Sequence, residues 1–131
     1  MRALVIEDDP ELRRLLKISL EAASIETLTA ADGKRGLGLM QDASFDFVVT
    51  DILMPTMDGL EVIQALRAGH KGVKIIAISG GGKTLPGPEV LSMAKIFGAD
   101  AALTKPFTRE ELLATVDAVV GKAVVGDDDP V

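Results

Sequence analysis

Five short apolar runs recur along the chain, and most are followed by a stretch with the spacing of an amphipathic helix. RALVI (2–6), IETLTA (25–30), FDFVVT (45–50), VKIIAI (73–78) and AALT (101–104) read as strands. The second is the most polar, because Glu26, Thr27 and Thr29 leave one side hydrophilic. Leu12, Leu15, Leu16 and Leu20 share one helical face, as do Leu112, Leu113, Val116, Val119 and Val120. Leu60, Ile63 and Leu66 mark another helix, and Val90, Leu91, Ala94 and Phe97 one more. A weaker helix is expected over 33–42, where Gly36 and Gly38 lower the propensity. Asp9-Pro10 offers an N-cap and a proline at the first helical position. Thr108 and Glu111 have capping-box spacing at the head of the last helix.

Continuously apolar central strands alternating with helices predict a parallel sheet covered by helices on both faces. Such sheets bind ligands beyond the carboxyl ends of their strands. Strand one runs into Glu7-Asp8-Asp9, strand three ends at Asp51, strand four at Ser79 and its glycines, and strand five at Lys105-Pro106. One sheet edge therefore gathers carboxylates, a hydroxyl, a flexible backbone and an ammonium. Clustered carboxylates repel unless they share a proton or a cation. All-oxygen ligation favours a hard divalent ion, and a site that keeps waters suits Mg²⁺. A lysine beside that ion adds positive charge where phosphoryl oxygens would sit.

Composition narrows the picture further. At 131 residues and 47% apolar content, the chain suits one folded domain. Its net charge of −6 speaks against a sequence-independent nucleic-acid binder, so no nucleic acid is expected as a partner. Without cysteine there is no disulfide, thiol chemistry or Cys-based zinc site. The apolar runs are too short to span a membrane, and Met1-Arg2 leads into no signal peptide, so a cytoplasmic protein is expected. Residues 1–121 are expected to form the domain, and 122–131 a flexible acidic tail in which Asp127 to Asp129 are solvated.

The stretch IAISGGGKTLPGPEV (76–90) invites a nucleotide P-loop reading, which fails on three counts. The first glycine of that motif falls on Ala77. The Lys-Thr pair must also open a helix, yet Thr84 is followed by Leu85-Pro86-Gly87-Pro88. Proline there would break any such helix. The glycines would instead border a phosphate carried on Asp51.

The pieces LVIEDD (4–9), DILMPTMDG (51–59), Ser79 after an apolar strand, and LTKPF (103–107) resemble the receiver domain of two-component response regulators, up to about Gly121. That resemblance implies a flavodoxin-like, doubly wound, five-stranded parallel sheet of order 2-1-3-4-5. It implies that Asp51 accepts a phosphoryl group from a phosphohistidine of a sensor histidine kinase or histidine phosphotransferase. Asp8, Asp51 and the backbone carbonyl of Leu53 would ligate Mg²⁺, with Glu7 acting through a coordinated water. Lys105 would pair with the phosphoryl oxygens, and Ser79, followed by Gly80, would move to hydrogen-bond them. Lys105-Pro106 would be a cis peptide, and Asp9 a helix cap rather than a ligand. The protein would act on itself only, as a signalling switch with a downstream protein target, and not as an enzyme on other substrates.

Two positions depart from the family. Its switch aromatic falls on Ala102, and the segment from Ser79 to Lys105 is longer than usual through GGGKTLPGP. Two alternatives stand beside this reading. One is a degenerate receiver acting as a phosphorylation-independent interaction module. The other is a haloacid-dehalogenase-type phosphatase, against which Leu53 stands where a second Asp is required. His70 reads as an exposed loop residue, and Arg13-Arg14 as the outer face of the first helix, where a kinase or solvent would meet it.

Overall fold

Neighbouring residues of a strand point to opposite sides of a sheet, so a strand that is apolar throughout needs cover on both. The computed structural model describes residues 1–52, 59–70, 72–79 and 98–121 and shows that cover. The strands are β1 (Arg2–Ile6), β2 (Glu26–Ala30), β3 (Phe47–Asp51), β4 (Lys74–Ser79) and β5 (Ala101–Thr104). All pair in parallel, in the order β2-β1-β3-β4-β5. The described helices are α1 (Pro10–Ala22), α2 (Gly33–Asp42), α3 (Gly59–Gly69) and α4 (Arg109–Val120). The helix expected around Val90 to Phe97 and the tail at 122–131 lie outside the described residues.

Alternation along the strands divides the core in two. Leu4, Ile6, Val48, Ile75 and Ala77 face Met40 of α2 and Val62, Ile63 and Leu66 of α3. Ala3, Val5, Phe47, Val49, Ile76 and Ile78 face Leu16 and Leu20 of α1 and Leu112 and Val116 of α4. Fully burying each such aliphatic side chain is worth ~1.5–3 kcal/mol, so the two layers carry the fold.

The ends of the helices follow local chemistry. Asp9 caps α1 by accepting from the Glu11 amide at 3.0 Å, with Pro10 opening the helix. Thr108 and Glu111 form the reciprocal capping box of α4. Helix α2 forms over the full expected span despite its glycines. The Asp32 side chain caps it through the Arg35 amide at 2.8 Å. Gly36 lies against β1 so closely that a Cβ there would stand 2.7 Å from Ile6 Cγ1. The residue that weakens the helix in isolation is what lets it dock.

Arg67 ties α3 to the start of β4 and β5. Its Nε donates to the Gly98 carbonyl at 2.8 Å, and its guanidinium pairs with Asp100, whose carboxylate also accepts from the Ile75 amide at 2.8 Å. Gly98 has φ +119°, a left-handed conformation that disfavours side chains, and a Cβ there would meet the Arg67 stem at 2.8 Å. This anchoring sets the register of β5, and hence the height at which Lys105 emerges.

Candidate functional site

Register brings the strand ends together. Ile6 pairs with Thr50, Asp51 with Ile78, and Ser79 with Thr104. Glu7, Asp51, Ser79 and Lys105 therefore emerge at nearly one level on the adjacent strands β1, β3, β4 and β5. Glu7, Asp51 and Ser79 are buried, and Asp8 is exposed at the rim. Lys105 Nζ lies 2.9 Å from Asp51 Oδ2 and 3.7 Å from Glu7 Oε1. Its backbone amide donates to the Ser79 carbonyl at 2.8 Å, which fixes β5 against β4 where the ammonium turns inward. The Lys105-Pro106 peptide is cis.

Carboxylate oxygens of Glu7, Asp8 and Asp51 lie within 4.8 Å of one another. Glu7 Oε2 accepts from the Asp9 amide at 3.0 Å, whereas the buried Glu7 Oε1 has no hydrogen-bond partner, Lys105 being too distant for one. A buried acceptor without a donor is costly unless something positive or a proton is supplied. Burial, then the neighbouring Asp51 charge, pushes the Glu7 carboxyl up to about 8. Burial alone would depress Lys105, but its hydrogen bond to Asp51 and the attraction of Asp51, Glu7 and Asp8 outweigh that and raise it. The lysine stays charged, and the acid cluster is short of cations. Three hard oxygen donors with one orphaned buried atom fit a divalent ion such as Mg²⁺.

Of the residues singled out from sequence, Glu7, Asp8, Asp51 and Lys105 converge, and Ser79 stands beside them as the last residue of β4. Ala102, half-buried on β5, pairs with Ala77 of β4. Leu53 and Gly80 lie outside the described residues. Two expectations need correction. His70 is half-buried rather than exposed, because its amide continues the α3 ladder to the Leu66 carbonyl at 2.6 Å. Arg13 does not lie on the outer face of α1: its Nη1 donates to the Glu7 carbonyl at 2.9 Å. Helical side chains lean toward the N-terminus, so an arginine one turn after the Asp9 cap folds back over the residues preceding it. That spacing was the signal available for Arg13.

A family model described as the response regulator receiver domain matches residues 3–117. The chain belongs to that family. An uncharacterized transcriptional regulatory protein, YrkP of Bacillus subtilis, is 43% identical over 117 residues, covering 89% of this chain and 48% of its own length. The cell cycle response regulator CtrA of Brucella ovis is 32% identical over 123 residues, covering 94% of this chain and 51% of its own. The chain thus spans about half the length of these relatives. The chemotaxis protein CheY4 of Vibrio cholerae superposes with a TM-score of 0.81 at 33% identity, covering 90% of this chain and 97% of that one. The receiver domain of NtrX from Brucella abortus gives 0.85 at 26% identity, covering 92% and 99%. Receiver membership displaces the phosphatase alternative, and the flavodoxin-like strand order is the one the resemblance implied. No helix among the described residues is long and apolar enough to cross a membrane.

Proposed function

We propose that this receiver is a phosphoacceptor switch in which Asp51 takes a phosphoryl group from the phosphohistidine of a sensor kinase or histidine phosphotransferase. The observation that carries the reading is the Asp51 carboxylate held 2.9 Å from Lys105 Nζ beside the Glu7–Asp8 pair. In the transfer an Asp51 oxygen attacks phosphorus, the P–N bond breaks, and the imidazole nitrogen leaves with the bonding pair. Lys105 orients the nucleophile and then faces the phosphoryl oxygens, so its charge is in place before the new charge arrives. Glu7 and Asp8, with Asp51, would hold Mg²⁺, which when bound neutralises charge on the phosphoryl oxygens. Ser79, whose carbonyl accepts from the Lys105 amide, would report the change to the segment that follows it.

Hydrolysis of the acyl phosphate would return the switch, so the only chemistry required is performed on the protein itself. The downstream target is a protein, and the setting is cytoplasmic. Two features support a phosphate-dependent receiver over a degenerate one: the complete acid set and the charged lysine. Treatment with a small acyl-phosphate donor, followed by intact-mass measurement, tests this. One added phosphoryl group with Mg²⁺, and none with EDTA, is expected. An unchanged mass in both conditions would leave the degenerate module as the correct reading.

A further inference from the structure

A pair of arginines lies on the same sheet edge, one strand beyond the acid cluster. A cleft of about 680 Å³ opens between α1, the end of β2 and α2, lined among others by Arg13, Ala30, Arg35, Leu39 and Asp42. Gly38 on α2 keeps its mouth open, with no atom within 4 Å of where a Cβ would stand. Two guanidinium groups and one carboxylate line this wall, and a second carboxylate, Asp32, pairs with Arg35 from beside it, on a chain of net charge −6. Neither arginine is consumed by its partner. Arg35 Nε lies 3.6 Å from Asp32 Oδ2, too far for a hydrogen bond, and its side chain is 75% exposed. Arg13 is engaged through Nη1 to the Glu7 carbonyl, and a guanidinium carries five N–H donors.

We propose that this cleft binds a small molecule carrying a phosphate or carboxylate group on an uncharged body, and that occupancy is transmitted to the acid cluster through Arg13. Guanidinium groups recognise both oxyanions through paired N–H donors. The cleft is broad and open to solvent, and Ala30 and Leu39 give the uncharged body apolar contact. Asp42 disfavours a second anionic group on the ligand. Transmission follows from the backbone. The Glu7 amide donates to the Ala30 carbonyl at 3.0 Å, and the Glu7 carbonyl accepts from Arg13. Both backbone groups of the buried acid are thus held by residues lining the cleft. An oxyanion that draws Arg13 toward itself competes directly with the Glu7 carbonyl. Linkage then requires that loading of the acid cluster change affinity in the cleft by the same factor.

The test is an amide and arginine Nε–H NMR titration of the unphosphorylated protein without divalent metal. Phenyl phosphate and benzoate are the probes, benzyl alcohol is the uncharged control, and sodium chloride matches ionic strength. Saturable shifts at Thr29 to Ala31, Arg35 and Gly38 are expected for an oxyanion probe, with affinity at least tenfold weaker in Arg35→Gln. Tighter binding of phenyl phosphate assigns a phosphate ligand, and tighter binding of benzoate a carboxylate. Shifts that never saturate, that benzyl alcohol or salt reproduces, or that persist at wild-type affinity in Arg35→Gln overturn the site. Transmission requires Glu7 and Asp8 amides to move in the saturated wild type and to stay fixed in saturated Arg13→Gln. Silence of those amides in the wild type, or an equal response in Arg13→Gln, overturns transmission.

Discussion

Replacing Glu7 with glutamine keeps shape and removes a carboxyl that the fold ionises only at a cost. The glutamine carbonyl can accept the Asp9 amide as Glu7 Oε2 does, and its amide group takes the place of Glu7 Oε1, beside Asp51. In the wild type the Glu7 carboxyl is pushed from its ordinary 4.5 up to about 8, first by burial and then by Asp51. The folded state therefore holds a proton that the unfolded chain has already lost. Stability from this group is complete below about pH 4.5 and falls as pH rises toward about 8. At ~1.4 kcal/mol per pH unit of displacement, the ceiling is about 5 kcal/mol. Movement of Lys105 toward Glu7 Oε1 reduces that, and a loss of ~2 kcal/mol is still a sizeable part of a typical domain's stability. The assay is urea unfolding in EDTA at intervals from pH 5 to pH 9. Metal-free wild type should lose stability across this range, while Glu7→Gln stays nearly flat and is the more stable protein at pH 8. Saturating Mg²⁺ should stabilise wild type most at high pH and the variant less. Parallel curves for the two proteins in EDTA would refute the reasoning, because other titrating groups are common to both.

Asp51→Asn should leave the fold intact and abolish phosphorylation, since the amide is a poor nucleophile; circular dichroism and intact mass check both halves. Asp8→Asn should weaken Mg²⁺ affinity at least tenfold in a calorimetric titration, as it removes a charged hard-oxygen ligand. Lys105→Ala should retain metal binding and slow phosphorylation by an acyl-phosphate donor, read as a drop in rate with little change in metal affinity. The two glycines of α2 should respond oppositely in urea unfolding. Gly36→Ala should cost ~1–3 kcal/mol, because its Cβ would press on the fully buried Ile6. Gly38→Ala should stabilise by ~0.5–1 kcal/mol, having open space and better helix propensity.

The contrast between those glycines shows where the sequence was readable. Burial on both faces makes β1, β3 and β4 continuous apolar runs, and their places in the chain were legible within one or two residues. The acid cluster was legible because parallel topology delivers every strand's carboxyl end to one edge. Gly36 and Gly38 look alike in sequence, and only the docking of α2 on Ile6 separates them. Arg13 was misassigned because helical periodicity sorts apolar from polar faces and ignores the return of a first-turn side chain over its own cap. His70 was placed in the right loop, but its half-burial depends on how far α3 continues its hydrogen-bond ladder. The functional weight of Ala102 concerns coupling between Ser79 and the segment after it, and that segment is outside the described residues.

The central claim is that Asp51, and no neighbouring carboxylate, carries the phosphoryl group. Borohydride reduces an acyl phosphate to an alcohol and so converts the modified aspartate to homoserine, which peptide mass spectrometry locates. After treatment with an acyl-phosphate donor and Mg²⁺, homoserine is expected at position 51 and nowhere else, and the signal should vanish in EDTA. Homoserine at position 8, the reduction product of a modified glutamate at position 7, or a phosphorylated protein that borohydride leaves unchanged would contradict the assignment.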